Sequence, residues 1–168
     1  MSALPKGFKV NDKIVHTTWG GGYVRSVTTK NVAEEDIECY EIELLLNSSR
    51  VFVPKQNLDV ADIRLPGSEA EKKKAVTILR GRKGKLAADW KARVTFLKNR
   101  LERGTLKAYA ETVRDLRTGF SADTISSTER KLYNKAYDLM ASEVALIRNC
   151  DITEAHRFIE NQFSGNKK

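Results

Sequence analysis

The 168-residue sequence predicts an α+β fold in two domains: a small, strongly bent antiparallel sheet or barrel over residues 1–65, then a compact five-helix domain over residues 66–168. Three observations carry this. The apolar pattern changes from period 2 in the first half to the helical period in the second. The turn-forming stretch "NLDVADIRLPGS", with Pro66 and Gly67, lies between them. Charge divides at the same place: residues 1–65 hold 8 Lys/Arg against 9 Asp/Glu (net −1), and residues 66–168 hold 22 against 13 (net +9).

The strands come first. "DKIVH" runs into "TTWGGGYVRSV", where Gly20, Gly21 and Gly22 are expected to supply the positive φ angles of a tight turn or bulge. "YEIELLL" alternates Tyr40, Ile42, Leu44 and Leu46 against Glu41, Glu43 and Leu45, the period of a half-buried strand. "NSS" turns the chain and "RVFVP" returns, stopping at Pro54, which cannot donate to a ladder. Short strands with close turns indicate a small bent sheet. The glycine triplet is no phosphate loop, because "WGGGYV" lacks both the Lys-Ser/Thr pair and the following helix.

Five helices follow. "SEAEKKKAVTILRG" opens with a capping box, Ser68 with Glu71, and stops at Gly81. "DWKARVTFLKNRLERG" has Asp89 as N-cap and Gly104 just past its end. "TLKAYAETVRDLRTG" sets Leu106, Tyr109, Val113 and Leu116 on one face. "SSTERKLYNKAYDLMASEVALIRN" opens with a second box, Ser126 with Glu129, and its broad apolar face predicts the central helix. "DITEAHRFIENQF" repeats the box with Asp151 and Glu154 and buries Ile152, Ala155, Ile159 and Phe163. The tail "SGNKK" is expected to fray.

Composition excludes several function classes. No apolar run is long enough to span a bilayer, and "MSALPKGFKV" lacks a signal-peptide core, so a cytoplasmic protein is expected. Cys39 and Cys150 lie in different halves without metal-ligand spacing and read as reduced, partly buried thiols. His16 and His156 are far apart in sequence, no nucleophile elbow or zinc cluster appears, and no motif implies a metal or cofactor. The acidic tip "AEEDIE" reads as a solvated turn. Binding functions remain. Within Lys72–Arg103 twelve basic residues face only Asp89 and Glu102, a concentration that points to nucleic acid.

Trp90 is the most informative residue. It falls in line with Val94, Leu97 and Leu101 at spacings of four, three and four, with Lys91 and Lys98 on one flank and Arg93 and Arg100 on the other. Periodicity alone puts core packing first. Its place at the end of the stripe, behind the N-cap and after the basic loop "GRKGK", also lets the ring overhang the bundle. A helix N-terminus favours anions, and stacking an aromatic ring on an unpaired base contributes roughly 1–3 kcal/mol.

The order of features resembles the CarD/CdnL family of bacterial RNA polymerase-binding proteins. The likeness rests on "FKVNDKIVH" with the glycine turn, "VFVP", "DWKARVTFLKNRLERGTLKAYAETVRDL" and "STERKLYNKAYDLMASEVAL", from about Phe8 to Phe163. Short β motifs of this kind also occur in other Tudor-like modules. The resemblance implies that a Tudor-like N-terminal domain docks on the polymerase β subunit and that the helical domain lies at the upstream edge of the promoter bubble. There Trp90 would wedge into the minor groove at the duplex junction. It further implies DNA contacts at Arg93 and Arg130, and a polymerase contact at Lys30. Thr95 stands where the family often has a second basic residue. Phe52 replaces the family's second polymerase-contacting basic residue, and Arg50 reaches the same face two residues earlier. The usual "HP" followed by His-Gly appears as His16-Thr17 and Trp19-Gly20.

The reading is therefore a non-catalytic, monomeric transcription regulator without cofactor. Trp90, Lys91, Arg93 and Arg130 face DNA, and Lys30, Arg50 and Phe52 face polymerase. Two alternatives remain open: an architectural DNA-binding protein without a polymerase partner, and a peptide reader caging its ligand with Trp19, Tyr23, Tyr40 and Phe52.

Overall fold

The computed structural model describes residues 7–58 and 62–164; the first six residues of the "MSALPKGFKV" segment and residues 165–168 of the "SGNKK" tail lie outside them. Five strands form one antiparallel sheet: β1 (Lys13–His16), β2 (Gly20–Val32), β3 (Glu35–Leu44), β4 (Arg50–Pro54) and β5 (Ile63–Arg64). Their order is β4-β3-β2-β1-β5, so β4 is an edge. Five helices follow: α1 (Glu69–Arg80), α2 (Trp90–Glu102), α3 (Leu106–Ser121), α4 (Ser127–Arg148) and α5 (Ile152–Ser164). The architecture is α+β, a Tudor-like sheet followed by a helical bundle.

Two strands are longer than the sequence reading allowed: β2 has 13 residues and β3 has 10. They are joined by Ala33 and Glu34, at φ 52° and 68°, as the register Val32↔Glu35 requires. Such a turn normally uses Asn or Gly, so the acidic stretch was legible as a solvated tip but not as a two-residue hairpin turn. The hairpin carries "AEEDIE" at its exposed tip. A register shift between Val24 and Ser26 bends β2. Strand β3 stops at Leu44, so Leu46 falls in the following turn and Leu45 packs against the helical core.

The glycine triplet also works differently than expected. Only Gly20 has a positive φ, 86°; Gly21 and Gly22 are ordinary β2 residues in extended conformation. Their value is closeness. A Cβ on Gly21 would lie 2.7 Å from Leu146 Cδ1 and 2.9 Å from the Ser142 carbonyl oxygen, so the missing side chain lets β2 seat on α4.

All the helix starts follow the sequence. Ser68 and Ser126 complete capping boxes with Glu71 and Glu129, and Asp89 accepts from the Ala92 N–H. The Asp151 carboxylate accepts from the Glu154 N–H at 2.8 Å. Gly104, at φ 63°, follows α2. Helix α3 continues through Gly119 to Ser121, where Ile125 packs against the glycine. Helix α4 is the central element: Ala136, Met140, Val144 and Ala145 are fully buried, while α1, α2, α3 and α5 supply Ala75, Leu97, Tyr109 and Ile159 to the same cluster. The sheet has a separate core around Ile14, Val24, Tyr40 and Ile42.

Polar contacts lock the two cores together. Glu143 on α4, 0% exposed, receives both terminal nitrogens of Arg64 at 2.6 Å and the Gly67 N–H at 2.8 Å. Arg64 Nε donates to the Gly104 carbonyl at 2.7 Å, and the Gly21 N–H donates to Ser142 Oγ at 2.8 Å. Lys13 Nζ donates to the Leu146 carbonyl at 2.8 Å. A bidentate pair on a buried carboxylate fixes orientation as well as distance. The sheet and the helices therefore present their surfaces in one set relation.

Candidate nucleic-acid interface and partner surface

Trp90 is the first residue of α2 and is 52% exposed, whereas Val94, Leu97 and Leu101 behind it are buried. Core packing, the outcome that periodicity favoured, does not occur. A helical side chain covers the turn N-terminal to its own Cα. At the first position no such turn exists, only the irregular segment 81–89, and the indole is left half exposed.

The basic residues around it differ in state. Lys91 and Thr95 are exposed. Arg93 is paired with Glu129 and donates from Nη1 to the Ala87 and Ala88 carbonyls at 3.0 and 3.1 Å. Glu129 is 1% exposed. Burial alone would raise its pKa, but the Arg93 guanidinium and the Ser126 N–H and hydroxyl hold it below the ordinary carboxylate value. Arg130 pairs with Asp123 and lies 4.6 Å from the centre of the Phe120 ring. Asp115, 1% exposed, accepts from the Gly84 N–H, Arg100 and Arg114, each at 2.8 Å. Burial opposes its ionisation as well, and those donors keep its pKa low. Sequence reasoning missed Asp115 and saw Glu129 only as a cap. It also missed Phe96, 46% exposed and off the apolar stripe, with the Arg100 guanidinium 4.6 Å from its ring centre.

A second surface covers the outer face of the sheet. The pairings Ser26↔Glu41, Glu41↔Phe52 and Glu43↔Arg50 place these side chains on one face. Lys30, two register steps from Thr28, joins them, with its Nζ 4.1 Å from the centre of the Phe52 ring. Phe52 is 43% exposed. Arg50 donates to Glu41 at 2.5 Å, and the other oxygen of Glu41 accepts from the Ser26 hydroxyl. Those two bonds hold the Glu41 carboxyl below its usual range. The structure thus brings Lys30, Arg50 and Phe52 together: Arg50 and Phe52 lie on the edge strand β4, and Lys30 reaches them from β2, two strands in.

The aromatic cage does not form. Tyr40 lies in the sheet core, 2% exposed, its hydroxyl accepting from the Phe8 N–H at 3.1 Å. Phe52 projects from the opposite face, and Trp19 stacks on His16 with ring centroids 4.1 Å apart. His16 Nδ1 accepts from the Thr18 and Trp19 N–H groups, at 3.1 and 3.3 Å, a turn-capping role. Burial lowers its pKa. His156 lies 3.6 Å from Asp138. Cys39 and Cys150 are free thiols. Among the described residues no group of three or more His, Cys, Asp or Glu is placed to hold a metal ion, and no helix is long and apolar enough to cross a membrane.

Two family models match this chain. The family described as "CarD-like/TRCF RID domain" matches residues 8–65, and "CarD, C-terminal domain" matches residues 74–160. A protein of Bacillus subtilis (strain 168) named "Putative transcription factor YdeB" is 25% identical over 147 residues, covering 88% of this chain and 95% of its own. An exposed tryptophan at the head of a basic helix, in a helical unit whose α4 seats on a bent sheet with its own separate surface, is carried here by a chain that belongs to the CarD/CdnL family of transcription regulators.

Proposed function

We propose that this regulator has no catalytic activity of its own and holds promoter complexes open by engaging RNA polymerase and DNA together. Residues 1–65 dock on the polymerase β subunit through Lys30, Arg50 and Phe52. Residues 66–168 lie at the upstream edge of the bubble, where Trp90 wedges against the junction step. Lys91 and Arg130 contact phosphates there, with Arg93 beside them. One copy acts per polymerase, in the cytoplasm and at the nucleoid through its partner.

The observation that supports this most is the exposure of Trp90, 52%, at the head of a stripe that is otherwise buried. An apolar ring held out of a basic helix N-terminus suits a step that is already unstacked. Wedging costs a few kcal/mol in intact duplex and much less at an open junction. Because Glu143 and Arg64 fix the sheet against α4, binding of one surface delivers the other at set geometry. The open edge of β4 offers unpaired backbone groups beside Phe52, as strand-addition partners require.

The test is the lifetime of a promoter open complex challenged with competitor DNA, alone, with wild type, and with Trp90→Ala. Wild type is expected to lengthen the lifetime and the folded variant to lose most of that gain. A fully active, folded variant removes the wedge from the account. No effect of wild type removes the polymerase partner and leaves an architectural DNA-binding protein. DNA affinity should fall steeply with salt, as counterion release demands.

A further inference from the structure

We infer that Arg93 is a positioning residue for Trp90 rather than a phosphate contact: anchored on Glu129, it clasps the Ala87 and Ala88 carbonyls and so sets how the indole leaves the surface. This inference rests on the reading that Trp90 works at a DNA junction. The segment from Arg82 to Asp89 is neither helix nor strand, and two of its residues, Gly84 and the N-cap Asp89, are typical of turns. Such a segment would ordinarily let a first-turn side chain wander. Here three anchors hold it. The Gly84 N–H donates to Asp115, Leu86 packs on the helical core, and Arg93 grips the two carbonyls immediately before the N-cap.

The last anchor lies closest to Trp90 and stands over a cleft. A space of about 310 Å³ lies beneath the loop, lined among others by Ala87, Ala88, Arg93, Gly119 and Glu129. Leu86 packs at one side of this space, and at the other the guanidinium links the Ala87 and Ala88 carbonyls to Glu129. Glu129 is well placed to hold it. It is 1% exposed and already fixed by its capping box, with the Ser126 N–H and hydroxyl donating at 2.9 and 2.8 Å. Arg93 thus has a carboxylate on one side and two carbonyls on the other. A guanidinium so engaged has few donors left for DNA. Lys91, exposed two residues earlier, carries no such obligation to the loop.

The two roles predict opposite signs. If Arg93 contacts a phosphate, removing the acidic charge of Glu129 frees the guanidinium and strengthens DNA binding. If Arg93 is a clasp, the same change releases the loop and weakens it. The variants are Glu129→Gln, which keeps a capping-box side chain, Arg93→Gln, and the two together, each confirmed as folded by thermal melting. A further variant, Arg93→Lys, keeps the charge but lacks the fork that bridges three acceptors. Each is assayed in the full chain against a fork-junction DNA over a range of salt. A Trp19→Phe background leaves Trp90 as the only tryptophan, so its nanosecond anisotropy decay reports the mobility of the indole without DNA.

The expected result is junction binding weakened about fivefold by Glu129→Gln, Arg93→Gln and Arg93→Lys alike, with a double variant no weaker than either single one. The salt slope should stay unchanged and Trp90 should depolarise faster in each. Tighter or unaltered binding by Glu129→Gln overturns the inference. So does a salt slope reduced by about 1 in Arg93→Gln, the signature of a lost phosphate contact. If Trp90→Ala binds the junction as well as wild type, the wedge reading is the one that fails, and the anisotropy decay alone then decides whether the clasp exists.

Discussion

The outer face of the sheet and the N-terminal end of α2 use the same ingredients, an exposed aromatic ring with cations near it, and hold them by opposite means. Phe52, Lys30 and Arg50 are fixed by strand register: each backbone is laddered to its neighbour, and the sheet decides which way the side chains face. Trp90 begins a helix, and the segment before it is irregular and tied down by Asp115 and by the Glu129–Arg93 pair. Continuous backbone pairing tolerates loss of any one side chain. A site hung on a few buried carboxylates depends on each of them.

The largest effect should come from breaking what the two regions share. Glu143→Ala leaves Arg64 without its buried partner and should cost about 3–5 kcal/mol. Calorimetry should then show a lower melting temperature and a melt that separates into a sheet transition and a helical one. A single unshifted transition would mean that the clamp is not what joins them.

Next comes the contrast within α2. Leu97, 0% exposed, should cost about 2–5 kcal/mol as Leu97→Ala. Trp90→Ala, on the same stripe, should change stability by no more than about 0.5 kcal/mol while abolishing most function. Urea unfolding of both variants checks this. Equal destabilisation would show that the indole is a packing residue after all.

Acid should act on both regions, through Glu41 on the sheet and through the buried Glu129 and Asp115 of the helical site. Glu129 and Asp115 ionise more readily in the folded chain than their ordinary values of 4.5 and 3.8. Their contribution is therefore complete above those values and is lost as pH falls below them through the lower folded pKa values. Stability should decline in that window, and Glu129→Gln or Asp115→Asn should flatten the decline. In Trp19→Phe, Trp90 anisotropy should loosen over the same range. A pH-stability curve with the wild-type slope in both variants would contradict this.

The smallest effect lies on the sheet. A double-mutant cycle on Lys30 and Phe52 should return a coupling of about 0.5–1 kcal/mol, the size of an exposed cation–π contact. Phe52→Ala should leave melting almost unchanged while weakening binding to the β subunit, measured by titration. Coupling near zero would mean that the two residues are neighbours without an energetic link.

Much of this was legible in the chain because it depends on neighbours in sequence. Capping pairs three residues apart define where α1 and α4 begin, Asp89 starts α2, and spacings of three and four place Val94, Leu97 and Leu101 inward. The division of charge separated an acidic sheet half from a basic helical half. Alternation across Tyr40, Ile42 and Leu44 set the buried face of β3, and with it the opposite face that carries Phe52. These are local properties, written in periodicity and hydrogen-bonding capacity.

What lies far apart in sequence was decided only by the tertiary structure. Arg93 and Glu129 are 36 residues apart, and Arg64 and Glu143 are 79 apart. No spacing rule joins a charged residue to a partner at that range, so Arg93 looked like another surface cation. Gly21 looked like a turn residue because nothing near it announces that Ser142 and Leu146 will arrive within contact distance. The stripe could place Trp90 on the inward side of α2, but whether a core would reach the first turn depended on where α3, α4 and the loop came to rest. The sequence alone determined the elements, their faces and the charge they carry, because each is set by residues within a turn or a strand of one another. Only folding decided which of those charges became internal clasps and which aromatic ring was left in the open, since both depend on distances that closure of the chain creates.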